Sequence, residues 1–199
     1  MGGNRWIGGL ALFLGLTTWT KAEAQPPNPS VRVLLTDIAG IPEGTLGQAK
    51  HEVTRLFERS RISLVWIDAG ECHERCLFVR TIAKPIGTKG LDNPLVVGVA
   101  PGTREARGRF AWVFYDRVRI YSAELGLSVP QMLGHVIAHE LGHLLLPHGA
   151  HSVAGVMRAG WDRAQVKTVV EGLVTFTPDQ AALIRERLQA SASPIAHAR

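Results

Sequence analysis

The sequence lacks several features that would mark a specialised class of protein. Its 199 residues contain no internal repeat and no low-complexity tract, and after position 24 no apolar run is long enough to cross a membrane. No acidic cluster has the density that a calcium site requires. Aromatic residues are not interleaved with Arg104, Arg107 and Arg109, which favours a solvated loop over a nucleic-acid-binding surface. We therefore expect no nucleic-acid partner.

The first 24 residues predict a signal peptide. Arg5 supplies a positive start, residues 6–18 form an apolar stretch, and residues 22–24 (Ala-Glu-Ala) form a small-x-small cleavage site. We expect cleavage after residue 24. The alternative is an uncleaved N-terminal anchor, although the apolar stretch is short for a membrane span. The mature chain would be secreted or periplasmic, without stable membrane insertion.

Cysteine is nearly absent, because the chain contains only Cys72 and Cys76. In an exported protein, two cysteines at this spacing predict a short disulfide loop. The alternative is a second metal site that also uses His73, but one C-x3-C pair with a single histidine is weak support for it.

Removal of the leader would leave residues 25–199, the length of one ordinary domain with its own core. Residues 25–30 are proline-rich and predict an extended lead-in, and residues 191–199 predict a flexible tail. The whole chain carries a formal net charge of +5 at neutral pH, so the mature domain should be mildly basic. We expect this domain to be a monomer.

Apolar patterning predicts an α+β fold whose N-terminal part resembles an α/β unit. Strands over 31–38 and 62–68 flank a helix over 43–59, in which apolar residues recur every three or four positions. This order predicts a parallel crossover. Later strands are predicted over 77–83 and 95–100, and a further strand or hairpin over 110–115 and 118–121, with no clear regular element over 147–172.

Two later helices each begin with a capping box, in which an N-cap Ser or Thr is followed three positions later by Glu or Gln. Ser128 and Gln131 open a long helix that should end just before Pro147, since proline disfavours helix in the residue that precedes it. Thr177 and Gln180 open a C-terminal helix. The predicted order is therefore strand, helix, several strands, long helix, loop and final helix.

The long helix carries the most informative motif in the chain, His139-Glu140-Leu141-Gly142-His143. Two histidines four positions apart lie on one face of a helix, so their imidazoles can bind one metal ion from the same side. Glu140 can reach a water bound to that metal. This H-E-x-x-H spacing is typical of a zinc-peptidase helix in which the glutamate is the general base.

A catalytic zinc site needs about three protein ligands and one open position for water. His151 is the favoured third ligand, because the bend between it and the long helix leaves room for the chain to reverse. His148 would need a much tighter reversal, and Glu171 is a carboxylate alternative from later in the chain. His135 lies one turn before His139, and we expect it to support or pack rather than to act as a fourth ligand.

The helix motif, followed by His151-Ser152 and then by Met157, resembles the metzincin metallopeptidases, most closely their matrixin branch. The sequence departs from that pattern at Leu146 and Gly149, which stand where metzincins usually have a glycine and the third histidine. The resemblance implies a metzincin-like (zincin) catalytic domain, with a twisted mixed sheet, a crossover helix, an active-site helix and a C-terminal helix. It also implies that Met157 lies in a turn beneath the metal.

The same resemblance implies a secreted endopeptidase that binds zinc (Zn²⁺) and cleaves peptide or protein substrates, with Glu140 activating water. An extended substrate would pair with the strand near 95–100 or with the strand near 110–115. The alternative function is a secreted zinc-binding module with a structural or catalytically inactive site. Such a site would be closed by a fourth protein ligand.

Overall fold

The computed structural model describes residues 27–72, 75–86, 91–103, 108–161 and 163–192. The predicted signal peptide lies outside these ranges, and so does most of the predicted C-terminal tail. The first two residues of that tail belong to the last helix. None of the described helices is long and apolar enough to span a membrane.

Five strands form one mixed sheet. They are β1 (Ser30–Asp37), β2 (Ser63–Trp66), β3 (Cys76–Ile82), β4 (Gly98–Val99) and β5 (Phe110–Phe114). Their order is β2-β1-β3-β5-β4, in which all neighbouring pairs are parallel except the antiparallel pair of β4 and β5. The predicted twisted mixed sheet is thus confirmed as a mostly parallel sheet with one antiparallel edge.

The strand predictions fail in one place. Residues 118–121 do not form a strand, because they lie within helix α2 (Tyr115–Leu125). Apolar and polar residues alternate from Val118 to Tyr121, which imitates a strand. Burial instead repeats at Val118 and Ser122, four positions apart as on a helix, and leaves Ile120 59% exposed. The predicted strand over 95–100 is also longer than the two paired residues of β4.

Two helices and the sheet enclose the core. The crossover helix α1 (Glu43–Arg59) joins the parallel strands β1 and β2, and it packs against β2 and against helix α3 (Val129–Leu145). Helix α3 is central, since twelve of its seventeen residues are buried. The sheet contributes fully buried side chains from three adjacent strands, namely Val33, Val79 and Val113.

A helix lies where no regular element was predicted. Helix α4 (Arg163–Val170) follows the loop after α3, and among its described side chains Val169 is buried while Val170 is 59% exposed. Val166 and Val169, three positions apart, both pack on the core, but an apolar stripe of about one turn is too short to predict a helix from periodicity. The turn after α4 is held from outside, because Arg55 and Arg59 of α1 both donate hydrogen bonds to the carbonyl of Gly172.

The C-terminal helix α5 (Pro178–Ala192) confirms the second predicted capping box and connects the two central helices. Arg185 donates to the carbonyl of Ser60, just after α1, at 2.8 Å. Arg187 donates to the carbonyls of the last two residues of α3 at 2.9 and 3.1 Å. Cationic groups at helix C-termini satisfy free carbonyls and oppose the helix dipole, so α5 stabilises the C-terminal ends of both helices.

Candidate metal centre

Helix α3 brings the first two predicted ligands together. Its start is capped by the Ser128 hydroxyl oxygen, which accepts a hydrogen bond from the backbone N–H of Gln131 at 3.4 Å. The helix ends at Leu145, before Pro147. His139 and His143 stand one turn apart on it, and their Nε2 atoms are 3.0 Å from each other.

His151 completes a cluster of three histidines. One nitrogen from each of His139, His143 and His151 lies within 4.8 Å of the other two, and this is the group that could hold a metal ion among the described residues. The His151 ring centroid is 4.7 Å from that of His143. His148 lines the same cleft without joining the group, and Glu171 instead lies 3.9 Å from Lys167 near the end of α4. The structure thus brings together the three histidines that the sequence favours.

A tight turn carries the chain past the cluster. The backbone N–H of Ser152 donates to the carbonyl of Met157 at 2.9 Å, and Met157 is completely buried. Gly142, inside the H-E-x-x-H motif, allows this packing, because a Cβ atom there would lie 2.2 Å from the Met157 sulfur. Glycine destabilises a helix interior by about 1 kcal/mol relative to alanine. The close approach of Met157 explains why a glycine nevertheless stands at position 142.

The carbonyl before Met157 orients the first histidine. His139 Nδ1 lies 2.8 Å from the carbonyl oxygen of Val156. A carbonyl only accepts hydrogen bonds, so Nδ1 carries the proton and Nε2 presents its lone pair to the cluster. A hydrogen bond from the outer nitrogen of a metal-binding histidine to a carbonyl commonly fixes its tautomer and ring orientation. Val156 is therefore a functional neighbour that the sequence patterns did not reveal.

The rings of His139 and His143 are held in the neutral form that binds metal. Burial, together with smaller charge repulsions from His139, His151 and His148, lowers the pKa of His143 to about 4. Burial also lowers the pKa of His139, while the hydrogen bond to Val156 opposes the shift. Both rings are therefore neutral at pH 7, and no proton has to leave them before a cation binds.

Glu140 is buried beside the cluster at the base of the edge strand. Only 5% of it is exposed, and burial raises the pKa of its carboxyl to about 8. Strand β4 approaches it closely, since a Cβ atom on Gly98 would lie 2.6 Å from Glu140 Oε1. Gly98 is thus a second residue that sequence reasoning missed, and a glycine in a strand segment was the only local signal of it.

The cluster opens into a cleft of about 650 Å³. One wall is the edge segment 95–103, which includes β4, and the other wall is formed by residues 158–161 after the Met157 turn. His139, Glu140 and His143 lie between these walls. Three histidine nitrogens, a buried carboxyl and the end strand of the described sheet therefore meet in one open groove.

His135 does not belong to the histidine cluster. Its side chain is completely buried, and its Nε2 lies 3.0 Å from Glu52 Oε1 on α1. Burial raises the pKa of Glu52, but the polar contacts and charge attractions of His135 and Arg55 outweigh this and lower it to about 2. The His135 ring also packs edge-on against Trp161 in the cleft wall, with centroids 5.0 Å apart. The expectation of a supporting or packed histidine agrees with these contacts.

The two cysteines do not line the cleft. Cys72 and Cys76 form a disulfide with Cα atoms 5.9 Å apart, as predicted. Sulfur atoms in a disulfide cannot act as thiolate ligands. The bond therefore argues against the alternative of a second metal site formed by Cys72, Cys76 and His73. Cys76 is the first residue of β3, and its carbonyl accepts a hydrogen bond from Arg109 at 3.0 Å.

No protein-family model matches this sequence, and no curated protein matches it. Among solved structures, the chain is similar to archaemetzincin from Methanopyrus kandleri, with a TM-score of 0.53 and 17% sequence identity. The match covers 82% of this chain and 98% of archaemetzincin. The chain has a metzincin-like fold. Metalloproteinase-II from Bacteroides fragilis matches with a TM-score of 0.48 and 13% identity over 84% of this chain, which spans 55% of that protein.

Proposed function

We propose that this protein is an exported zinc-dependent endopeptidase of metzincin type, in which His139, His143 and His151 hold the zinc and Glu140 is the general base. The observation that carries the proposal is the convergence of three histidine nitrogens beside one buried carboxyl in an open cleft. The metzincin-like fold supports the same conclusion.

The chemistry of the donor set fits zinc. Three imidazole nitrogens are a common protein ligand set for catalytic zinc, and they leave one position open for water. The nitrogens of His139 and His143 face each other at 3.0 Å, and the contact with Val156 requires that His139 presents a lone pair there. A bound cation would satisfy such lone pairs. No described fourth histidine or carboxylate belongs to the group, which favours an open site over a closed structural one.

Zinc, when bound, would act as a Lewis acid that lowers the pKa of a water molecule and polarises a carbonyl. A residue of the protein must then transfer the proton of that water to the leaving group. Glu140 would accept a proton from the attacking water and donate it to the nitrogen of the leaving amine. A nearby dication favours the ionised carboxylate, which opposes the effect of burial on its pKa. Burial excludes competing solvent from this carboxyl.

The edge of the sheet offers a place for an extended substrate. Strand β5 has neighbours on both sides, whereas β4 pairs only with β5 at the end of the described sheet. An unpaired strand edge can hydrogen bond to the backbone of an extended peptide. Of the two segments that the sequence offered, we therefore assign substrate pairing to β4, whose Gly98 packs against Glu140.

A matrixin-like assignment is supported by the order His151, Ser152 and Met157, together with the buried position of Met157. Export rests on the predicted signal peptide and on the disulfide between Cys72 and Cys76, because disulfides persist mainly in oxidising compartments. We also propose that the protein acts as a monomer and that its substrates are peptides or proteins.

The deciding experiment measures zinc content and peptide hydrolysis for the wild type and for Glu140→Gln, with Glu124→Gln on the exposed side of α2 as the control. We expect one zinc per chain in all three proteins and a loss of about 10²–10⁴-fold in hydrolysis for Glu140→Gln alone. Zinc without hydrolysis in the wild type would favour the zinc-binding module. A wild type that binds no zinc would overturn the proposal.

A further inference from the structure

Gln180, in the first turn of α5, makes two hydrogen bonds of opposite sense. Its Oε1 accepts from the backbone N–H of Thr177 at 3.2 Å, which is half of the capping box. Its Nε2 donates to the carbonyl of Ala150 at 2.9 Å, thirty residues away in the chain. The residue is only 9% exposed, so these bonds form where water does not replace them readily.

The two partners require an amide side chain. Thr177 N–H can only donate and the Ala150 carbonyl can only accept, so they also determine which end of the amide is oxygen and which is nitrogen. A glutamate at this position could still cap the helix, but its carboxylate has no proton to donate to Ala150. Substitution by glutamate therefore separates the capping role from the contact with the loop.

The contact with Ala150 lies directly before the third histidine of the cluster. His151 is exposed and belongs to a segment without regular secondary structure, unlike His139 and His143 on α3. Its two neighbours are held by hydrogen bonds, since the carbonyl of Ala150 accepts from Gln180 and the N–H of Ser152 donates to Met157 at 2.9 Å. The backbone on both sides of His151 is thereby fixed to buried residues.

We propose that Gln180 is a positioning residue for His151, acting through the carbonyl of Ala150. Helix α5 is anchored in the core through the buried side chains of Ala181 and Ile184, so Gln180 connects the third ligand to a rigid element. Loss of the contact frees one side of the bend and widens the range of positions that the His151 ring samples. This inference rests on the proposed function, since it requires that His151 binds the metal.

The test compares Gln180→Glu with Gln131→Glu. Gln131 occupies the corresponding position at the start of α3, where its Oε1 accepts from the Ser128 hydroxyl at 2.8 Å instead of from the Ser128 backbone N–H. This contact lies toward the opposite end of α3 from the histidine cluster. Zinc affinity is measured by competition with a chromogenic chelator, and thermal unfolding is measured on the chelated proteins. We expect Gln180→Glu to weaken zinc binding by about 10–100-fold, as is usual when a residue that orients a ligand is lost, and Gln131→Glu to leave it unchanged.

A purely structural role gives a different result. It predicts a lower Tm of the metal-free Gln180→Glu protein and an unchanged zinc affinity of the folded protein, which would overturn the inference. If the glutamate variant does not fold, Gln180→Met is compared with Gln131→Met. Both changes avoid a buried charge and remove the capping-side contact of the amide, but only Gln180→Met also removes the hydrogen bond to Ala150. A wild type that binds no zinc would contradict the proposed function, whereas equal affinities of wild type and both Gln180 variants would contradict only the role of Gln180.

Discussion

The proposed metal centre is built from two regions that obtain their geometry in different ways. His139 and His143 stand on α3, where the helical repeat alone places two residues four positions apart on one face. His151 lies in the irregular bend after the helix, and its position depends on contacts with the Met157 turn and with α5. The geometry of the helix follows from local sequence, whereas the geometry of the bend depends on contacts with residues that are distant in the sequence.

The strongest test of this comparison removes the ligand on the bend. We expect His151→Ala to weaken zinc binding by more than about 100-fold, because loss of a ligand should exceed the 10–100-fold effect of losing a residue that orients one. His148→Ala, in the same exposed bend, should keep the wild-type affinity. The reverse result in a chelator competition assay would show that His148, rather than His151, is the third ligand.

A second test asks how closely the two regions pack. Gly142→Ala would place a Cβ atom 2.2 Å from the Met157 sulfur, so we expect it to lower the free energy of unfolding by about 1–3 kcal/mol. Gly47→Ala is the control, since a Cβ atom there meets nothing within 4 Å. That change in α1 should instead stabilise by roughly 1 kcal/mol. Equal effects in denaturant unfolding would mean that Met157 does not pack on the helix as described.

The buried carboxyl predicts a pH dependence of stability in protein stripped of metal. Folding raises the pKa of Glu140 from 4.5 to about 8, so the folded state keeps a proton that the unfolded state has released, and stability falls as the pH rises through this range. His139 and His143 have pKa values lowered from 6.5, so their contribution is complete above pH 6.5 and is lost in acid.

Between pH 6.5 and 8 the change in folding stability therefore comes from Glu140 and not from His139 or His143. We expect the chelated wild type to lose roughly 2 kcal/mol across this window relative to Glu140→Gln, at 1.36 kcal/mol for each pH unit. Denaturant unfolding at both pH values measures the difference. Parallel pH profiles for the two proteins would mean that the carboxyl is ionised or solvated in the folded state.

The smallest expected effect comes from the start of the helix. Ser128→Ala removes the oxygen that accepts from the N–H of Gln131, and loss of an N-cap costs about 1 kcal/mol of stability. Zinc affinity should stay unchanged, because the cap lies more than two helical turns from His139. A clear loss of zinc affinity would contradict the view that the ligands on α3 are placed by the helical repeat alone.

Prediction from the sequence succeeds where the determining contacts are local. The helix over 43–59 is found at the same bounds as α1, and the long helix starts at its predicted cap and ends before Pro147. Helix α4 was missed because its apolar stripe spans only about one turn, from Val166 to Val170, and because its end is held by Arg55 and Arg59 of a helix distant in the sequence. The 118–121 segment was misassigned because its short alternating pattern fits a strand as well as a helix.

Gln180 has one role that follows from local spacing and one that depends on a distant contact. Its role as a capping residue follows from its spacing to Thr177, but its contact with Ala150 spans thirty residues and has no local signature. Residue spacing alone is enough to place His139, Glu140 and His143 on one helix, because a helical repeat converts spacing into geometry. The position of His151 and the close approach of β4 to Glu140 follow only from the folded chain, because both depend on packing between segments that are remote in the sequence.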